Sequence, residues 1–167
     1  MKTLKTLVTA LFVVAFLGSA GAQDYKSAIG AKLGYGLIAS YKTFLNKKAA
    51  VDIFGGIRWG GLAAGAYYEI HSPVKSVENL KWYVGGGASV TTWNYGYIGY
   101  SSYYELGVSG VIGLDYTFED YPVNASVDWA PTIVVADSYD YPGVNLARFR
   151  AGYGAFTVRY ILGGKGK

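Results

Sequence analysis

The sequence predicts an all-β protein: an eight-stranded antiparallel up-and-down transmembrane β-barrel with a polar, side-chain-filled lumen. Three observations predict it. Beyond residue 22, apolar residues recur with period two and nowhere with helical spacing. Eight such stretches are separated by turn-forming clusters. Across the stretches one parity is greasy throughout, while the other mixes glycine, small polar residues and isolated charges.

The first segment reads as an address. Lys2 and Lys5 precede an apolar run from Leu7 to Leu17, and Gly18-Ser19-Ala20-Gly21-Ala22 follows before the polar Gln23-Asp24. A basic start, a short apolar stretch and an Ala-x-Ala site mark a secretory signal peptide, with cleavage expected after Ala22. Eleven residues of helix reach about 16 Å, too little for roughly 30 Å of hydrocarbon. The expected organisation is a signal over 1–22, a barrel over 23–162 and a short tail over 163–167.

The strands follow in order. Ile29, Ala31, Leu33 and Tyr35 oppose Gly30, Lys32 and Gly34; Leu37, Ala39, Tyr41 and Leu45 oppose Ser40 and Lys42. Val51, Ile53, Ile57 and Trp59 oppose Asp52, Phe54, Gly56 and Arg58. Leu62, Ala64, Ala66, Tyr68 and Ile70 oppose Ala63, Gly65, Tyr67 and Glu69. Trp82, Val84, Gly86, Ala88 and Val90 oppose Tyr83, Gly85, Gly87, Ser89 and Thr91. The cleanest alternation spans Glu105–Phe118, with Leu106, Val108, Ile112, Leu114 and Tyr116 against Glu105, Ser109, Val111 and Asp115. Val123, Ala125, Val127, Trp129, Ile133 and Val135 oppose Asn124, Ser126, Asp128, Ala130 and Thr132, and Pro131 predicts a ladder gap with a bend or bulge. The last strand ends with Phe156, Val158, Tyr160 and Leu162 opposing Thr157 and Arg159. Turn chemistry falls at 34–36, 46–48, 60–61, 71–80, 94–103, 119–122 and 136–147. A sheet of eight strands joined mainly by hairpins removes its edges by closing.

Charge density decides which parity faces out. The polar parity holds Lys32, Lys42, Asp52, Arg58, Glu69, Glu105, Asp115, Asp128 and Arg159, about one charge per strand among many glycines. A solvated exterior carries roughly a quarter to a third charged positions, so the polar parity is expected inside, as a paired network in a narrow lumen. The apolar parity then faces lipid. Tyr68, Trp82, Tyr116, Phe118 and Tyr160 fall at the strand ends near the short turns, with Trp59 and Trp93 at the opposite ends; two aromatic belts suit two membrane interfaces. An even strand number places both termini on one side, expected to be the periplasm, together with the turns at 46–49, 71–80 and 119–122.

Composition bounds the chemistry. With 167 residues, 17% aromatic and 16% charged, the chain is unlike a disordered one. The absence of cysteine excludes disulfides and thiolate metal sites. A net charge of +4 without a basic run gives no expectation of nucleic acid. His71, the sole histidine, falls in a turn beside Ser72 and Pro73 and is expected to be solvated. Gly85-Gly86-Gly87 lies within a strand with no helix after it, so close backbone packing explains it better than a phosphate loop. Asn124-Ala125-Ser126 matches a glycosylation sequon, but Asn124 points to the lumen. Asp115 and Asp128 are expected to neutralise Arg58, Lys32 or Arg159.

The stretches Tyr41-Lys42-Thr43-Phe44-Leu45-Asn46, Trp82-Tyr83-Val84-Gly85-Gly86-Gly87, Gly113-Leu114-Asp115-Tyr116-Thr117-Phe118, Pro122–Trp129 and Val158-Arg159-Tyr160 carry a family likeness. The chain resembles the small eight-stranded outer-membrane barrels of the OmpX and OmpA transmembrane-domain type, and most narrowly the uncharacterised outer-membrane barrels of Bacteroidetes-type bacteria. It departs from them after Leu162, where Gly163-Gly164-Lys165-Gly166-Lys167 replaces a terminal aromatic. The resemblance covers nearly all of the chain after residue 22 and implies architecture rather than activity.

The expected role is a non-enzymatic outer-membrane protein without cofactor or metal, monomeric, surrounded by lipid. Its longer loops, with Tyr95, Tyr97, Tyr100, Tyr139 and Tyr141, would either meet a surface partner or anchor at the headgroups. Competing expectations are a small channel or apolar-ligand conduit, a lipid-modifying enzyme, and a soluble secreted barrel with reversed faces.

Overall fold

A computed structural model describes residues 25–34, 36–58, 60–93, 102–138 and 148–162. The signal segment, the tail after Leu162, Trp59 and the loop tyrosines Tyr95, Tyr97, Tyr100, Tyr139 and Tyr141 lie outside the described residues.

The strands are β1 (Ser27–Leu33), β2 (Leu37–Phe44), β3 (Ala49–Arg58), β4 (Gly61–Pro73), β5 (Leu80–Trp93), β6 (Tyr103–Thr117), β7 (Val123–Trp129), β8 (Thr132–Asp137), β9 (Phe149–Arg150) and β10 (Gly154–Leu162). β7 and β8 are one stave interrupted at Ala130-Pro131, since both pair with β6. β9 and β10 form the last stave, so eight antiparallel staves result. β1 pairs with β10 over its whole length, Ser27 opposite Leu162 and Leu33 opposite Phe156, which closes the barrel.

Register sets the tilt. Partners followed once around the wall from Leu80 run through Tyr116, Ala125, Val158, Ala31, Ala39, Gly55 and Ala64 to Val90, ten residues further along the starting strand. With eight strands and ordinary strand spacings, that stagger inclines the staves by about 40°. The lumen is then just wide enough to be filled by side chains.

The turns at 45–48, 74–79 and 118–122 share one end with the beginning of β1 and the end of β10. Asn46 shapes the first of them: its side-chain oxygen accepts from the Lys48 and Ala49 amides at 2.9 and 2.8 Å. At the other end, Gly60 takes φ +81° in the turn between β3 and β4, a left-handed conformation that glycine adopts without a Cβ penalty.

The interruption at Pro131 does not shift the register. Ile112 faces Trp129 and Ser109 faces Thr132, three residues apart on each strand. The bulge comes later, between Leu106 and Gly107 on β6, where Val135 is the extra residue on β8. Proline removes a donor without adding a residue, so it opens the ladder and leaves the alternation intact.

The faces are sorted by parity. Ile29, Leu37, Ile53, Leu62, Val108, Ile112, Leu114, Val127, Ile133 and Phe156 are exposed on the outer wall. Inside, one apolar cluster lies toward the turn end (Tyr25, Ala28, Phe44, Ala50, Ile161) and another toward the opposite end (Ile38, Phe54, Ala63, Tyr67, Tyr83, Val111, Ala130). Charged side chains occupy the space between.

Candidate functional site

Inward parity brings charges from seven strands into one buried layer. Arg159, from β10, is 1% exposed. Its Nη2 meets Asp52 Oδ2 on β3 at 2.9 Å. Its Nε donates to Ser40 Oγ at 2.8 Å, and its Nη1 donates to Ser126 Oγ at 2.9 Å. Ser40 in turn donates to Asp52 Oδ1 at 2.6 Å. One guanidinium thus ties β10 to β2, β3 and β7 through its fork of donors.

Lys32 Nζ lies between Asp52 Oδ2 at 3.2 Å and Asp128 Oδ2 at 3.4 Å. The rings of Phe54 and Tyr67 flank the same ammonium at 5.2 and 5.3 Å. Lys42 Nζ bridges Glu69 Oε2 at 2.8 Å and Asp115 Oδ2 at 3.2 Å, beneath the Tyr83 ring at 4.5 Å. Asn124 donates to the other Asp115 oxygen and to the Tyr116 carbonyl. Tyr83 Oη donates to Asp128 Oδ2 at 3.2 Å. Each cation therefore faces two carboxylates or a carboxylate and hydroxyls, the condition under which buried charge is tolerated.

Of the nine charges expected in the lumen, Lys32, Lys42, Asp52, Glu69, Asp115, Asp128 and Arg159 meet in this layer. Arg58 and Glu105 are buried but stand apart, toward the end away from the short turns. Arg58 donates to Thr91 Oγ1 at 3.0 Å and stacks over the Tyr153 ring at 4.0 Å. Glu105 pairs with Arg150. One expected partnership forms, Asp128 with Lys32, while the others are redistributed: Asp115 takes Lys42, Arg159 takes Asp52, and Arg58 takes rings and a hydroxyl.

His71 requires a correction. It is not a solvated turn residue; β4 runs on to Pro73, and His71 is 2% exposed, inside the barrel. Its Nε2 lies 2.9 Å from Glu69 Oε2, and its ring stacks on Tyr83 at 4.9 Å. Two further steps of the β4 alternation, from Glu69 to His71, would have placed it there. Lys81, missed for the same reason, is buried with the parity of Tyr83 beside the Phe44 ring. Tyr25 lies before the first alternating stretch, and nothing in the sequence marks it as a plug; it packs edge-on against Phe44 at 5.2 Å.

Among the aromatics, Tyr68, Trp82, Tyr116, Phe118 and Tyr160 carry outward parity on the half of the wall nearer the turns. Tyr116 and Phe118 pack edge to face at 5.0 Å. Trp93 is different. It shares the inward parity of buried Thr91, stacks on Tyr103 at 4.5 Å and has the Arg58 guanidinium 5.8 Å from its ring. It lines the barrel mouth rather than the outer belt. Among the described residues, no group of three or more His, Asp or Glu side chains is disposed to hold a metal ion.

What this arrangement does chemically is neutralise, bridge and fill. Comparison with models of known protein families, with curated proteins and with solved structures finds no match.

Proposed function

We propose that the protein is an outer-membrane β-barrel of the architecture its resemblance to the OmpX and OmpA type implies, non-enzymatic, with a structural or surface-interaction role exerted through its Tyr-rich loops. The observation that carries this is the inversion of the wall. Arg159 and Asp52 are 1% and 0% exposed at the centre, while Leu37, Ile57 and Leu62 are each more than 60% exposed outside. Water would demand the opposite arrangement; an acyl-chain environment demands this one. Closure supports the same reading, because every backbone donor in lipid must find a partner within the protein.

The packed lumen favours a structural role over conduction. Two apolar clusters and an ionic layer occupy an interior with room for little besides side chains. Large aromatic loop residues offer contact area at low entropic cost, which suits a surface partner.

Expression with a signal peptide, membrane fractionation and an unboiled gel test this. The protein should sediment with outer membranes, require detergent for release and migrate differently before and after boiling. Recovery in the soluble periplasm without detergent would overturn the proposal.

A further inference from the structure

The turn-end rim is divided by charge. Going around the wall, exposed Lys26 precedes β1, Lys47 is exposed in the turn between β2 and β3, and Lys75 is exposed in the turn after β4. Lys48 adds a fourth, half-exposed ammonium. Within the same turn as Lys75 the sign reverses at Glu78, and further around the rim Glu119 and Asp120 occupy the turn between β6 and β7. Among the described residues, one side of the rim is basic and the other acidic, and one of the two changes of sign falls inside a single turn.

The basic side sits at the edge of the apolar wall. Leu45, 61% exposed, is two residues from Lys47. Tyr41, Tyr68 and Tyr160 are exposed on the staves of the same arc. Outward tyrosines followed by lysines are the order in which a barrel wall would meet the acyl boundary and then the phosphates. Asn46 holds the turn that presents Lys47 through its bonds to the Lys48 and Ala49 amides, so this ammonium projects from a fixed backbone.

We propose that the arc formed by Lys26, Lys47 and Lys75, with Lys48, is a docking surface for anionic phospholipid headgroups. The inference rests on the membrane reading above. Its basis is charge complementarity at the depth of the headgroups, where a lysine near an anionic surface favours binding by about fivefold. The acidic arc across the rim repels the same lipids, so retention is one-sided.

The test uses the full chain, folded and shown to be heat-modifiable, in detergent with equal phosphatidylglycerol and phosphatidylethanolamine. Lipids retained after detergent removal are counted by native mass spectrometry. Wild type should keep phosphatidylglycerol about fivefold or more over phosphatidylethanolamine, with the preference falling in high salt. The Lys26→Gln/Lys47→Gln/Lys75→Gln variant should lose it, and Glu78→Gln/Asp120→Gln should keep it. Equal retention of the two lipids by heat-modifiable wild type overturns the inference while leaving the membrane reading standing. A preference surviving the triple substitution overturns it too. If that variant does not fold, the salt series on wild type decides: a salt-independent preference rejects the arc. A wild-type chain that stays soluble without detergent fails the membrane reading instead.

Discussion

Arg159 concentrates the energetics of the lumen in one side chain. Burying a guanidinium costs several kcal/mol, and only close pairing with further hydrogen bonds offsets it. Asp52, Ser40 and Ser126 supply both. Arg159→Leu would leave Asp52 with Lys32 and Ser40 alone, so we expect a loss of about 3–5 kcal/mol in denaturant titration of the detergent-folded barrel. Arg159→Leu/Asp52→Leu should recover much of that, because the uncompensated carboxylate goes as well; the cycle between the variants measures the coupling. An unchanged midpoint for Arg159→Leu would contradict the role given to it. That Arg159 faces inward was legible from alternation together with the sparse charge of its parity. Its partner was not: Asp52 lies on a stave three positions away around the wall, and contact across the lumen depends on the stagger of the whole barrel. Alternation fixes a side chain's face, not what it meets there. His71 was misplaced for a more local reason, since Ser72-Pro73 reads as turn chemistry while the ladder continues through both, opposite Trp82 and Lys81.

Among the elements, the turns and irregularities decide where each stave ends. Asn79 closes the turn between β4 and β5 at φ 61°, a left-handed conformation that costs most residues roughly 1–2 kcal/mol. Its carbonyl accepts from the Thr117 amide at 3.1 Å, and its side chain donates to Glu119 at 2.9 Å, joining two neighbouring turns. Asn79→Val should therefore lower stability by about 1–2 kcal/mol, whereas Asn79→Gly should lose less, keeping the backbone geometry while giving up the side-chain bond. Equal losses would mean the Glu119 bond matters more than the backbone. Close packing sets a second constraint. A Cβ on Gly113 would fall 2.5 Å from the Tyr83 ring and from the Val127 carbonyl oxygen. Gly113→Val should thus overpack the lumen and cost about 1–3 kcal/mol in the same titration. The eight staves were legible because each keeps a period of two for six or more residues. The bulge at Val135 was not, because an extra residue changes register without changing composition. After it, Asp137 lies opposite inward Glu105 and within 3.4 Å of Arg148, where the sequence had suggested a loop.

At the scale of the whole molecule, the two parities of one period-two pattern become two solvents' worth of surface, and the sequence alone supplied that division through its low charge density. Its further expectation, that the outer wall meets lipid, is one that a single outward position can test. Val127 is 52% exposed on β7, between Leu114 on β6 and Phe156 on β10. It lies away from both rims and has the parity opposite to that of the ionic layer. In a bilayer, Val127→Lys sets an ammonium against acyl chains and should weaken folding into phospholipid vesicles by about 2–4 kcal/mol. On a water-facing wall the same change would fall within about 0.5 kcal/mol. Tyr121→Lys, at a turn residue 65% exposed, serves as the reference and should have little effect in either case. Folding both variants into vesicles and titrating with denaturant separates the possibilities. A Val127→Lys barrel as stable as wild type would remove the acyl-chain environment from the account, and the inverted wall would then require another apolar partner.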